Sequence, residues 1–178
     1  VYLKFKLLNK FNGSITGFKS RIYDQIEYSS NKYINSSDDL DLKQSGVNSK
    51  IEFNNFGYNI NIFSSFLSSK KTNGSDQLRR PEKTYGLNLN KNIEIIYLGK
   101  VDLNTKYKHY GKHFDTHSTN FSTIEMDSTD IVDLTLNKKA GLGDFYLSFT
   151  NLLDESYQRP HGYSQDGRLF NIGFKLNY

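Results

Sequence analysis

The sequence predicts an all-β chain, an antiparallel transmembrane β-barrel to which these 178 residues contribute about nine strands. Three observations predict it. The segment Arg168 to Tyr178, RLFNIGFKLNY, sets Phe170, Ile172, Phe174, Leu176 and Tyr178 on one parity and Asn171, Gly173, Lys175 and Asn177 on the other, which is the period of a strand. One face is apolar throughout and the other is wet, as suits a strand between lipid and a lumen. Short turns also alternate strictly with long polar connections, the asymmetry of a barrel with tight turns at one rim and long loops at the other; a soluble sandwich has no reason to keep it. Finally, aromatic residues make up 15% of the chain, 13 Tyr and 13 Phe without Trp, although the mean hydropathy is only −0.65. Rings in so polar a chain suit interfacial girdles.

The strands follow in order. Leu3, Phe5 and Leu7 open the first, and Asn9 to Gly13 is read as a tight turn. Phe18, Ser20 and Ile22 occupy one face of a second strand that ends near Tyr28, before a polar stretch to about Asp41. Val47, Ser49, Ile51 and Phe53 mark the third, opposite Gly46, Asn48, Lys50 and Glu52. After a turn at Asn54 to Gly57, Tyr58, Ile60, Ile62 and Phe66 continue on the fourth, and Ser69 to Leu78 is a polar loop. Tyr85, Leu87, Leu89, Ile93 and Ile95 point outward on the fifth, with Asn88, Asn90, Asn92 and Glu94 inward. A turn from Tyr97 to Lys100 leads to Val101, Leu103, Thr105 and Tyr107, and Gly111 to Met126 is loop. Val132, Leu134 and Leu136, a turn from Lys138 to Gly143, then Phe145, Leu147 and Phe149 complete the series before the loop Leu152 to Gly167 and the terminal strand. Each strand is expected to hold close to the 9 to 11 residues that cross a bilayer at a tilt, by the usual rule of about that length.

Val1 opens directly on a strand, with neither an initiator Met nor an export signal before it. Nine is odd where single-chain bacterial barrels have even strand numbers, and an open sheet in lipid would leave the edges of its first and last strands unpaired, so the chain is expected to be a fragment preceded by further strands. No apolar run approaches the roughly 20 residues of a membrane helix. The net charge of +4 is spread along the chain, which gives no nucleic-acid footprint, and the absence of Cys removes thiol chemistry without fixing a compartment.

Asn151-Leu152-Leu153-Asp154, Tyr157, Gly162-Tyr163 and Gly167-Arg168, ahead of the terminal strand, resemble the closing hairpin of TonB-dependent outer-membrane receptors. Upstream, Gly46-Val47-Asn48-Ser49-Lys50-Ile51-Glu52, Leu78-Arg79-Arg80-Pro81 and Tyr110-Gly111-Lys112-His113-Phe114-Asp115 are similar to the family pattern in the same order, most of all to its cobalamin-transporting members. The alternation Phe170, Ile172, Phe174, Leu176, Tyr178 resembles the C-terminal insertion signal that the barrel-assembly machinery reads, with Tyr where Phe is commoner. The resemblance implies that residues 1–178 are the C-terminal part of a barrel of about 22 strands whose lumen holds a plug. The plug and early strands lie outside the chain. It further implies an outer-membrane location with the C-terminus on the periplasmic side, and uptake of a scarce nutrient, cobalamin or else a siderophore, with energy delivered through the TonB complex. A smaller barrel serving as pore, enzyme or adhesin is the alternative.

Candidate chemistry is sparse. His113, Asp115 and His117 alternate in a loop and offer donors that suit a first-row ion, but two histidines without a third fixed ligand read as a solvated loop, so no metal is expected. No Ser sits in a G-x-S-x-G elbow, so no catalytic residue, and no cofactor, is assigned. The Asn-x-Ser/Thr sequons at Asn12, Asn35, Asn73 and Asn120 are what chance gives in a chain so rich in Asn and Ser. Arg79 and Arg80 re-enter the barrel beside Pro81, and guanidinium forks can hold a carboxylate or phosphate. By the resemblance the first of them, Arg79, contacts the ligand; the plain reading is that both pair with loop carboxylates or lipopolysaccharide phosphates. Arg168 is expected to anchor the last strand.

Overall fold

Nine strands form one antiparallel sheet in which every strand but the two outermost pairs with its neighbours on both sides. The computed structural model describes all residues except Asn9, Ser30, Asn31, Ser36, Asp38, Asp39, Leu142, Asn177 and Tyr178, and for Glu27, Tyr28 and Ser29 it describes the backbone. The sheet runs β1 (Tyr2–Leu7), β2 (Phe11–Ile22), β5 (Leu42–Asn55), β6 (Tyr58–Lys71), β7 (Lys83–Ile95), β8 (Gly99–Tyr110), β11 (Thr129–Ala140), β12 (Gly143–Thr150) and β13 (Leu169–Leu176). Because each strand pairs with the next in the sheet, connections fall alternately at its two ends. The short ones, 8–10, 56–57, 96–98 and 141–142, share one end, and the long ones, 23–41, 72–82, 111–128 and 151–168, share the other. At 56–57 both Phe56 and Gly57 have positive φ (51° and 74°), the backbone of a two-residue hairpin turn whose twist matches its strands.

The register decides which side chains share a face. Ile51 lies opposite Ile62, Ile62 opposite Leu87, Leu87 opposite Tyr107 and Tyr107 opposite Val132, while Leu147 lies opposite Ile172 and Phe145 opposite Phe174. The parities read from sequence therefore join into one apolar face from Leu3 on β1 to Leu176 on β13. The other face is polar: Asn90 and Asn104 hydrogen-bond across it, and a recess of about 680 Å³ spans β6, β7, β8 and β11 there, lined by Asn59, Asn90, Asn104, Lys106 and Asn137 among others. That hollow makes the polar face the concave one.

Among the described residues most of the apolar face is uncovered. Only Leu42 and Val101 among them are buried hydrophobics, whereas Ile172 is 75% and Phe170 58% exposed. Exposed apolar area on this scale marks a face that meets another apolar surface.

Several boundaries differ from the sequence reading. Gly13 is not in the turn but in β2, opposite Phe5, whose ring lies where a Cβ on Gly13 would stand, 2.0 Å away. Phe18, Ser20 and Ile22 fall on the polar face, because Phe18 is registered on Gly46 and its ring covers that glycine; Phe11 and Ile15 supply the apolar face of β2. The second strand ends at Ile22, not near Tyr28, and two loops contain hairpins of their own, β3 (Ile26–Ser29) with β4 (Lys32–Asn35) and β9 (His113–Thr116) with β10 (Thr123–Met126). Six of the sheet strands have 12 to 14 residues, more than a bilayer needs, so they continue beyond the apolar band.

Phe63 on Gly86 and Tyr146 on Gly173 repeat the pairing of ring and glycine. A Cβ on Gly86 would stand 2.4 Å from the Tyr107 carbonyl oxygen as well as 2.6 Å from the Phe63 ring. The backbone cannot yield as a side chain can, so Gly86→Ala should destabilise the sheet by about 1 to 3 kcal/mol in a urea titration of the folded barrel. Unchanged stability would show that the strand spacing there is looser than described.

Candidate functional site

The chemistry-bearing residues gather at the long-loop end, where segments 72–82, 111–128 and 151–168 meet around Asp115. Its position follows from the β9–β10 hairpin, which folds the middle segment back and brings residues distant in sequence onto one carboxylate. Asp115 is fully buried; its Oδ1 accepts from Arg79 Nε at 2.7 Å and from the Thr116 amide at 2.7 Å, and its Oδ2 from the His161 amide at 2.8 Å. Burial pushes this carboxyl up, but the His161 amide, Arg79 and the Thr116 amide outweigh it and hold it below the usual carboxylate range. The Arg79 amide also donates to the Phe114 carbonyl at 2.6 Å, and Arg79 takes a positive φ of 60° to do so.

Arg79 thus has a loop carboxylate as partner, while its side chain stays 60% exposed and a guanidinium has five N–H donors, so a ligand can reach the rest. Arg80 has no ion pair among the described residues. It lines a cavity of about 240 Å³ with Lys112, His113, Glu125 and Gln77, and the Gln77 Oε1 is buried with no hydrogen-bond partner among the described residues. Leu67 and Ser69, on the concave face, close the cavity below, so it opens on the mouth of the sheet. A second cavity of about 240 Å³ lies between Arg79, Tyr110, His113, Asp115 and Arg159. The Arg159 guanidinium stacks on the Tyr110 ring, 3.7 Å from its centroid.

The alternating His113, Asp115 and His117 do not form the solvated loop read from sequence. His113 is buried (7% exposed), Asp115 is buried, and the His117 ring packs against that of His161, tilted by 35° with centroids 4.6 Å apart. The Nδ1 of His161 accepts from the Ser118 amide at 3.0 Å and that of His117 from the Thr119 amide at 3.2 Å. Among the described residues no three metal-ligating side chains come together.

The closing motif is architectural. Asn151, 2% exposed, donates through Nδ2 to the Glu155 and Asp166 carbonyls and accepts from the Glu155 amide, and Asp154 Oδ1 accepts from the Arg168 amide at 2.8 Å, which pins the root of β13 through Arg168's backbone. Asn151 stood in the closing motif read from sequence, whereas the importance of His161 and Gln77 was not visible there. Their partners lie across loops, and no local spacing signals them. Of the terminal alternation, Phe170, Ile172, Phe174 and Leu176 lie on the apolar face, whereas Tyr178 falls outside the described residues.

No protein-family model and no curated protein matches the chain by sequence. By structure it has the fold of a stretch of outer-membrane receptor barrel. The pyoverdine outer-membrane receptor FpvA of Pseudomonas aeruginosa, bound to pyoverdine, matches with a TM-score of 0.76 and 14% identity over 97% of this chain and 28% of its own. The FrpB iron transporter of Neisseria meningitidis matches with 0.71 and 13% over 97% and 29%, and the ferric-catecholate import receptor Fiu of E. coli with 0.71 and 14% over 98% and 26%. These are a transporter and two receptors, none an enzyme, and the chain spans under a third of their length.

Proposed function

We propose that residues 1–178 are the C-terminal part of the barrel of a TonB-dependent outer-membrane receptor, which captures a ferric siderophore at its loop end and passes it inward with energy from the TonB complex. The observation that carries this is the apolar convex face, continuous over nine strands and without a core, in a sheet that follows receptor barrels over almost its whole length. A smaller barrel with a role as pore, enzyme or adhesin has no such support. The long loops then face outward, and β13, which ends beside Gly143 at the short-turn rim, leads the C-terminus to the periplasm. The barrel-assembly machinery would read Phe170, Ile172, Phe174, Leu176 and Tyr178, and deleting Tyr178 should lower the surface level of the full-length receptor.

Iron complexes lead because matched proteins are named an iron transporter, a ferripyoverdine receptor and a ferric-catecholate import receptor. Cobalamin is the second reading, carried by the order of motifs around Leu78-Arg79-Arg80-Pro81. Arg79, and Arg80 with no ion pair among the described residues, are the side chains suited to hold an anionic group of the ligand. Equilibrium binding to purified full-length protein tests this. A catecholate or peptidic ferric siderophore should bind saturably, cobalamin should not, and Arg79→Ala should weaken capture by about 1 to 3 kcal/mol without loss of the barrel. Binding of cobalamin alone would install the second reading, and binding of neither would overturn the proposal.

A further inference from the structure

The dipeptide Asn-Gly occurs twice in the chain, and the fold treats the two copies oppositely. Asn12-Gly13 lies inside β2, with Asn12 opposite Lys6 on one side and Glu52 on the other, and with the Phe5 ring over Gly13. Asn73-Gly74 lies at an exposed tip beyond β6, where the Lys71 amide donates to the Ser75 carbonyl at 2.8 Å and the Gln77 amide to the Ser69 carbonyl at 3.0 Å, so that the chain doubles back on itself. Gly74 takes a φ of 89° there, and a Cβ on it would meet open space. The Asn73 carboxamide is held in one posture: its Oδ1 accepts from the Ser75 amide at 2.9 Å and from the Ser75 hydroxyl at 2.7 Å. The first bond folds the side chain forward over the Asn73–Gly74 peptide. The two donors together draw charge onto Oδ1 and leave Cγ electron-poor, as paired donors do at any acyl oxygen that is to become tetrahedral. The nitrogen that follows in the chain belongs to Gly74, which has no side chain to shield it. Its N–H donates to the Lys71 carbonyl at 2.9 Å, one bond at a solvated tip, which opens more readily than the paired ladder around Asn12.

We propose that Asn73 is a self-modification site, an asparagine that converts in the folded protein, with water as the only co-reactant, to isoaspartate and aspartate. The Gly74 nitrogen gives up its proton to solvent base and bonds to Asn73 Cγ; the Cγ–Nδ2 bond breaks, and Nδ2 leaves as ammonia with a proton from solvent. A five-membered succinimide remains. Water opens it at the main-chain carbonyl to give isoaspartate, or at Cγ to give aspartate. Either product adds a carboxylate to the loop that carries Arg79 and Arg80, and isoaspartate also lengthens the main chain at the tip by one methylene. Nothing in these steps depends on which nutrient the barrel carries. Asn120 separates the two ingredients of the site: its Oδ1 accepts from the Ser122 amide at 3.1 Å and from the Ser122 hydroxyl at 2.8 Å, as Asn73 does from Ser75, but Phe121 follows it in place of glycine.

The test ages full-length protein in detergent at mildly alkaline pH and follows the peptides that contain Asn12, Asn73 and Asn120 by mass spectrometry, with isoaspartyl methyltransferase labelling to detect isoaspartate. The Asn73 peptide should gain the mass of an amide-to-acid exchange and become a methyltransferase substrate, while Asn12 and Asn120 stay intact. In urea, with the strand ladder gone, Asn12 should convert as Asn73 does. Gly74→Ala should slow conversion at Asn73 by roughly tenfold, through the bulk beside the nitrogen and the strain of a side chain at this φ. Ser75→Ala keeps the backbone donor and removes the hydroxyl, and should slow it by roughly threefold, the worth of one net hydrogen bond. Conversion of Asn12 as fast as Asn73 in the folded protein would mean that sequence alone sets the rate, and would overturn the site. An Asn73 that survives in the folded protein and converts only in urea would overturn it too, as would a Ser75→Ala variant that reacts as fast as wild type.

Discussion

Ile62→Arg should abolish barrel assembly while Asn61→Arg, one residue away, should leave it intact. Ile62 lies in an all-apolar row between Ile51 and Leu87 and is 48% exposed on a largely uncovered face, so a guanidinium there would sit in the hydrocarbon. Near the midplane that costs about 2 to 4 kcal/mol, comparable with a large part of the whole stability of an ordinary domain. Asn61 lies between Glu52 and Asn88 on the concave polar face, where an arginine meets water and a carboxylate and should change stability by only about 0.5 kcal/mol. Heat-modifiable gel mobility and surface levels of the full-length protein read both variants. Equal tolerance of the two would mean that neither face meets lipid.

Asp115→Ala should release the loop platform without dissolving the sheet. The substitution strands the His161 and Thr116 amides and the Arg79 guanidinium together, and with them the joint between three loops. Loss of one partner from a fully buried pair costs about 3 to 5 kcal/mol, but Arg79 remains largely solvated, so about 2 to 3 kcal/mol is expected. Hydrogen exchange at residues 79, 116 and 161 should accelerate by a factor on the order of a hundred, while the amides of β7 and β8 keep their protection. The pH dependence has a definite sign. A carboxyl held below its ordinary value of 3.8 stabilises the folded platform at neutral pH, and that contribution disappears as pH falls below about 3.8 through the folded value. Loop protection that is insensitive both to this substitution and to acid would remove Asp115 from the centre of the platform.

Period-two patterns made most of the sheet legible, because the side-chain period of a strand is fixed and one slipped residue would turn a row such as Ile51, Ile62, Leu87 inside out. The polar set on β2 was not legible for the complementary reason. Phe18 looks lipid-facing by composition, and only its cross-strand partner Gly46 shows that the ring fills space over a glycine on the concave side. The hairpins β3–β4 and β9–β10 have four residues per strand, too few for an alternation to stand out from a polar loop. At the platform, Arg79 and Asp115 were each singled out in sequence, but their pairing across 36 residues, and that of Asp115 with His161 across 46, depends on loop geometry that no spacing encodes.

None of the 178 residues is a cysteine, so a label placed in this stretch meets no native thiol within it. Single cysteines placed in turn at residues 59 to 66 of β6 in the full-length protein, each carrying an environment-sensitive fluorophore, can be tested against brominated lipid in proteoliposomes. The register predicts quenching at Ile60, Ile62, Ser64 and Phe66 and none at Asn59, Asn61, Phe63 and Ser65. Uniform quenching, uniform protection or the opposite alternation would contradict a barrel that turns its apolar face to the membrane.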